Sequence, residues 1–301
     1  MNQIKSKDAF YRGYEVSRAN GSLMPWMVFL WTALMMSAAL LCTPSHAETK
    51  EYSFGVVPQQ SAKKTASLWA PLLQRVSEQS GIKLRFHTAK SIPAFESKLI
   101  AGHYDFAYMN PYHFVVFNKF ANYQALAKRK DQPIRGIIVA RKDKSIQQIE
   151  QLSGQKIAFP SPAAFGASVL PRAYFEDASI TVEPKYVSSH DSVYLSVAKG
   201  IFLAGGGVKR TFLNIAPEIR EQLEIVWTTP AYTPHAIAHH KRVPKIIVDL
   251  IEAELLKLSD DPSGLALLNS LKIKNGFERA NNEDWDDVRN IPSSVTRSAR
   301  L

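Results

Sequence analysis

The sequence predicts an α/β fold divided into two lobes that are joined by two crossing strands. Three observations predict it. From Glu51 onward, short apolar runs alternate with segments of helical period. Two β-rich runs, Ile134–Ala140 and Leu223–Thr228, interrupt that alternation and read as an outward and a return crossing. Finally, a chain of 301 residues has, after removal of a leader, the length of two domains of common size. Hydrophobic residues at 46% and charged residues at 21% suit a soluble globular protein.

Residues 1–47 read as that leader. A polar, weakly basic segment to Asn20 runs into the apolar stretch Leu23–Cys42 and then Thr43-Pro44-Ser45-His46-Ala47. Ser45-His46-Ala47 fits the small-x-small pattern of a cleaved secretory signal, so cleavage after Ala47 and export to the periplasm are expected. The apolar run is nearly long enough to span a bilayer, which leaves a retained anchor helix as the alternative. Cys42 is the single cysteine, and the bulky Leu41 before it does not suit a lipoprotein signal. The cleaved chain would therefore hold itself together by core burial, without disulfides.

Within the remainder, Tyr52–Val57 reads as a strand ending at Pro58. Ala62–Ser80 is a helix with Leu68, Trp69, Leu72, Leu73 and Val76 on one face, stopped by Gly81. Ile82–His87 is a strand, and Ser91 caps a helix that ends before Gly102. Tyr104–Tyr108 is a third strand, and Asn110-Pro111 opens a third helix, where proline suits the first turn. Tyr123–Ala127 is a fourth strand. After the first crossing come a short helix at Ile146–Leu152, a strand at Lys156–Phe159, and a helix at Ser168–Phe175. A strand at Ile180–Val187, a helix at His190–Lys199 and a strand at Ile201–Ala204 follow, the last running into Gly205-Gly206-Gly207. The tail is helical at Pro244–Leu258 and Pro262–Leu271, with a short piece at Trp285–Val288. The pattern assigns 48–136 and 231–291 to one lobe, 137–230 to the other, and 292–301 to a disordered tail.

Two hinged α/β lobes behind a signal sequence describe a periplasmic binding protein of the type II kind, with its ligand in the cleft between the lobes. The stretch Ile157–Arg172 is a strand, a Pro-rich turn and a helix start, a place where backbone N–H groups can meet an anion. Ser161 and Ser168 add hydroxyls there. The formal net charge is +10, with Lys and Arg scattered and only short clusters, at Lys128-Arg129-Lys130 and Arg141-Lys142-Asp143-Lys144. Such scatter favours an anionic small ligand or membrane surface over nucleic acid, whose partners concentrate their charge.

Several motifs resemble the phosphate/phosphite/phosphonate ABC-transporter binding proteins. They are Gly55-Val56-Val57-Pro58-Gln59-Gln60 with Leu68-Trp69-Ala70-Pro71-Leu72-Leu73, then Leu99-Ile100-Ala101-Gly102-His103-Tyr104-Asp105-Phe106-Ala107-Tyr108-Met109-Asn110-Pro111. A third is Ser188-Ser189-His190-Asp191-Ser192-Val193-Tyr194, followed by Val197-Ala198-Lys199-Gly200. The resemblance spans roughly Tyr52–Ile291. It implies the two-lobed clamp, capture of a small oxyanion, and delivery to an inner-membrane permease by a monomer. Members that hold a phosphonate place a Ser-Thr-Ser-Gly-like run at a second-lobe helix N-terminus, where this chain has Ala163-Ala164-Phe165-Gly166. After Gly200 the family usually carries an aspartate, where Phe202-Leu203 stands here. Both departures point to another anion, or to a flatter, more apolar molecule against Phe165.

The candidate ligand residues are Gln59, Tyr108, Asn110, Ser161, Phe165, Gly166, Ala167, Ser168, His190, Asp191 and His235. Tyr108 and Asn110 offer a hydroxyl and an amide at a strand's carboxyl end. His190 is either a cleft donor or a simple cap. His235, after the return crossing, is either near the hinge or an ordinary loop residue. Gly205-Gly206-Gly207 is either a backbone nest for an anion or a flexible turn; it lacks the ending of a P-loop. His235, His239 and His240 are not expected to bind metal, because adjacent strand residues point opposite ways. No Gly-x-Ser-x-Gly elbow is present. Neither a cofactor nor catalysis is expected. A ligand-sensing role for a membrane receptor or kinase is the alternative to import, and an exported enzyme a more distant one.

Overall fold

The computed structural model describes residues 50–291; the leader read at 1–47 and the tail read at 292–301 lie outside them. The first half folds as β1 (Tyr52–Val56), α1 (Ala62–Ser80), β2 (Leu84–His87), α2 (Ile92–Ile100), β3 (Phe106–Met109), α3 (Pro111–Phe120) and β4 (Tyr123–Arg129). Capping chemistry sets the starts of its helices. The Ser61 Oγ accepts from Lys64 N–H, Ser91 Oγ from Ala94 N–H and Asn110 Oδ1 from His113 N–H, while Gly81 ends α1 at φ +70°.

The chain then builds β5 (Gly136–Arg141), β6 (Lys156–Phe159), α4 (Leu170–Asp177), β7 (Glu183–Tyr186), α5 (His190–Ala198), β8 (Ala204–Val208), α6 (Lys209–Leu213), α7 (Pro217–Arg220) and β9 (Leu223–Thr228). It returns with β10 (Ala236–His240), α8 (Lys245–Lys257), α9 (Pro262–Ser270), β11 (Phe277–Arg279) and α10 (Asp286–Arg289). The strands form two sheets, β11-β4-β10-β3-β1-β2 and β7-β6-β8-β5-β9. The molecule is thus a two-lobed α/β clamp.

Strand direction decides what faces the cleft. In the first sheet β1 is parallel to β2 and β3, and β10 is antiparallel to β3 and β4. The carboxyl ends of β1, β3 and β4 therefore share one edge with the start of β10. In the second sheet β6 is parallel to β7 and β8, while β5 is antiparallel to β8 and β9. The ends of β6, β8 and β9 share an edge with the start of β5. Carboxyl edges are where ligands sit in open α/β sheets.

The two crossings run side by side. Ile134 and Tyr232 exchange backbone hydrogen bonds of 2.8 and 3.1 Å, and Thr229 N–H donates to the Gly136 carbonyl at 3.0 Å. The Thr229 hydroxyl oxygen accepts from Gly136 N–H at 2.9 Å. Apolar side chains pack on both faces of the second sheet. The larger cluster is built on the first sheet and takes in Phe165, Ala167, Val169 and Val208 from across the cleft.

The strand expected at Ile201–Ala204 lies further on, because β8 begins at Ala204 and runs through all three glycines. They are buried strand residues, so the backbone nest is not formed there. The physical reason is packing. A Cβ on Gly206 would fall 1.9 Å from the Ala167 carbonyl oxygen, and one on Gly207 2.1 Å from the Tyr194 hydroxyl. The glycines let α5 and the turn after β6 lie directly on the strand.

Candidate functional site

The turn after β6 departs most from its expected form. Phe165–Val169 is a single π-helical turn, buried throughout, leading into α4. The N–H groups of Ala167, Ser168 and Val169 all converge on the Ala164 carbonyl, at 3.1, 2.7 and 3.2 Å. Those three donors are therefore spent inside the turn. π-Turns recur at functional sites, and Phe165, Gly166 and Ala167 of this one line the cleft.

Four sets of hydrogen bonds join the lobes. His190 N–H donates to the Gln59 carbonyl at 2.8 Å. Asn110 Nδ2 donates to the Ala163 carbonyl at 3.1 Å. The Asp191 carboxylate accepts from Ser61 N–H at 2.9 Å and from Gln60 Nε2 at 3.4 Å. Arg210 donates to the side-chain carbonyl of Gln59. Two small cavities remain, each about 10 Å³, room for roughly one water apiece. Gln59, Asn110, Phe165, Gly166, Ala167, His190 and His235 line the first, with Val57, Ile92, Ile134, Ala164 and Val208. Tyr108, Gln59 and Arg210 line the second, under Trp69 and Thr65.

Most of the candidate residues are thus brought to one place. Ser161 and Ser168 are buried without a hydrogen-bond partner for either hydroxyl, though neither lines these two cavities. Asp191 does not line them either; its carboxylate is engaged with the first lobe at the start of α1. Tyr108 and His235 form a stack, ring centroids 5.0 Å apart at 18°, and Trp69 packs on Tyr108 at 4.5 Å. The Tyr108 hydroxyl and both ring nitrogens of His235 are buried and lack partners. Buried polar atoms ordinarily have them.

Two arginines at the site escaped the sequence reading. Arg129 ends β4 on the cleft edge, is only 5% exposed, and its Nε has no hydrogen-bond partner. Burial lowers it to about 10, Tyr108 opposing and Arg210 reinforcing that fall, so it remains a cation at neutral pH. No carboxylate is among the groups acting on it. Arg210 stands two residues beyond β8, half-buried. Lys128-Arg129-Lys130 reads in the sequence as a short basic cluster. The usable signal was position, since Arg129 directly follows an apolar strand at its carboxyl end.

Two cleft histidines, His190 and His235, are held neutral. Burial, with Arg210 beside it, pushes His190 down to about 3, and its Nδ1 hydrogen-bonds with the Thr211 hydroxyl at 3.0 Å. Burial and then Arg210, Arg129, His190 and His113 hold His235 well below its ordinary value. Asp191 is raised by burial, against the hydrogen bonds from Ser61 and Gln60 and the charge of Lys64. The cleft is therefore a desolvated, positively charged space supplied with unpartnered polar groups.

Residues 54–285 match the family model of the periplasmic substrate-binding proteins of phosphonate ABC transporters. The chain belongs to that family. Among curated relatives of this phosphonate-binding family, a phosphate-import protein PhnD of Mycolicibacterium smegmatis is 21% identical over 276 residues, 79% of this chain and 84% of the relative. Among solved structures, a binding-protein component of an ABC phosphonate transporter from Pseudomonas aeruginosa superposes with a TM-score of 0.76. It has 15% identity and covers 83% of this chain and 88% of its own. PhnD1 of Prochlorococcus marinus, in complex with methylphosphonate, has a TM-score of 0.74 and 17% identity, over 83% of this chain and 98% of its own. The family is periplasmic, and among the described residues no helix is long and apolar enough to cross a membrane.

Proposed function

We propose that the chain captures a small oxyanion in the cleft between its lobes and hands it to an inner-membrane permease, without catalysing a reaction. One observation carries this reading. The Tyr108 hydroxyl and the two His235 nitrogens are buried, aromatic-backed and unpartnered at the edge where both sheets end. Leaving such groups unpaired costs about 1–3 kcal/mol each, which a hydrogen-bonding ligand recovers. The import of phosphate by one relative and the methylphosphonate held by another support an oxyanion as that ligand. The proposed ligand set is Gln59, Tyr108, Asn110, His190 and His235, with Ser161, Ser168 and Asp191 supporting it and Phe165, Gly166 and Ala167 forming the apolar wall.

In this reading the protein acts as a periplasmic monomer after loss of residues 1–47. Each lobe contributes donors, so binding draws the lobes together, as in other hinged clamps. The experiment is thermal unfolding against a panel of phosphate, phosphite, methyl- and aminoethylphosphonate, sulfate, sulfonates and carboxylates. A ligand at a hundredfold over its dissociation constant adds about 2.7 kcal/mol and raises the midpoint by several degrees. A shift with phosphate or a phosphonate is expected. No shift across the panel would overturn solute capture and favour a protein partner.

A further inference from the structure

Arg129 and Arg210 approach the cleft from opposite lobes, one at the end of β4 and the other just past β8. Arg129 is 5% exposed with an unpartnered Nε, and Arg210 lines the small cavity beside Tyr108, whose ring stacks on His235; both charges help hold that histidine neutral. Two like charges brought together in a poorly hydrated space repel strongly. The buried Arg129, whose Nε has no hydrogen-bond partner, adds a desolvation cost. The Asp191 carboxylate at the rim is tied to Ser61 and Gln60 and faces Lys64, so it does not balance the pair. His190 and His235 are neutral, so the two guanidiniums set the charge of the site.

We propose that the cleft selects doubly charged oxyanions over singly charged ones of the same shape, and that Arg129 and Arg210 impose the choice. The proposal rests on the reading of the cleft as an anion site. A monoanion leaves one of the two charges uncompensated inside the closed lobes. A dianion matches both, and because one guanidinium belongs to each lobe, it also removes the repulsion that opposes closure. Charge matching of this kind does not require the serine and threonine hydroxyls that this chain lacks at Ala163-Ala164-Phe165. Arginine suits the task because it stays ionised when buried and offers a planar fork of donors. The side chain of Gln59, which accepts from Arg210, holds that guanidinium at the cleft until a ligand oxygen takes its place.

The test is calorimetric titration of the full protein with two matched pairs, at about pH 8, where a phosphonate is largely doubly ionised. One pair is sulfate and methanesulfonate; the other is methylphosphonate and its monomethyl ester. In whichever pair binds, the dianion is expected to bind at least about tenfold more tightly. Arg210→Gln is expected to bring that ratio down several-fold while weakening the monoanion much less, and Arg129→Gln to do the same. Circular dichroism verifies folding, and the half-buried Arg210 carries the test if the buried Arg129 variant fails to fold. Equal affinity within a binding pair, or a ratio unchanged by Arg210→Gln, would overturn the charge selection and leave anion capture standing. Binding by no member of either pair would overturn anion capture, and the selection with it.

Discussion

His190 shows how burial fixes the chemistry of a side chain. On α5 it is 1% exposed, its backbone N–H is spent on Gln59 and its Nδ1 on Thr211. Its folded value of about 3 lies below the 6.5 of an unperturbed histidine. Between those values the unfolded chain binds the proton and the folded chain does not. The stability that this histidine gives is therefore complete above about pH 6.5 and is lost as the pH falls towards 3. His235, also depressed, acts in the same direction. Unfolding midpoints measured from about pH 7.5 down to about pH 5 are expected to fall. His190→Gln is expected to flatten that slope, because it removes one of the groups responsible. An unchanged slope in the variant would mean that His190 already takes up its proton when folded. The residue was visible in the sequence as a candidate, but its neutrality was not, because that depends on burial and on Arg210 beside it, which only the fold supplies.

At the scale of elements, β8 separates what a pattern can reveal from what it cannot. Gly205-Gly206-Gly207 has the look of a turn, since glycine weakens a strand and pays no steric penalty in loops. Here it is a central strand because its neighbours demand bare backbone. Gly206→Ala would put a Cβ 1.9 Å from a carbonyl oxygen of the π-turn, which has no side-chain freedom to yield. Chemical denaturation is expected to show a loss of about 1–3 kcal/mol or more, as for other overpacked cores. A loss below about 0.5 kcal/mol would mean that the turn is not seated on the strand as described. The helices of the first lobe were far more legible. Ser61, Ser91 and Asn110 carry local capping chemistry, and α1 carries its apolar stripe and its terminal glycine. Local signals of that kind survive in a one-dimensional reading. The π-turn at Phe165–Val169 and the short α6 have no side-chain cap, and they follow from contacts made by distant strands.

For the whole molecule, the alternation of strand and helix and the two interrupting β runs were enough to anticipate a clamp with a double hinge. The family match over residues 54–285 agrees with that architecture. The site was legible only in part. Residues placed by motif order, such as Tyr108, Asn110 and His190, come to the cleft edge, whereas Asp191 is occupied in joining the lobes. Arg129 and Arg210 were hidden because their significance lies in strand direction and in the lack of a facing carboxylate, both properties of the assembled sheets. The two cavities at the cleft are water-sized, so the proposed capture of a tetrahedral oxyanion requires parting contacts such as Arg210–Gln59 and Asn110–Ala163. The most direct measurement of that claim is a crystal structure of the protein grown with saturating methylphosphonate. The account predicts one molecule between the lobes, its oxygens within hydrogen-bond reach of Tyr108, His235 and at least one of the two arginines. Methylphosphonate bound outside the cleft, or a cleft that stays without it at saturation, would contradict it.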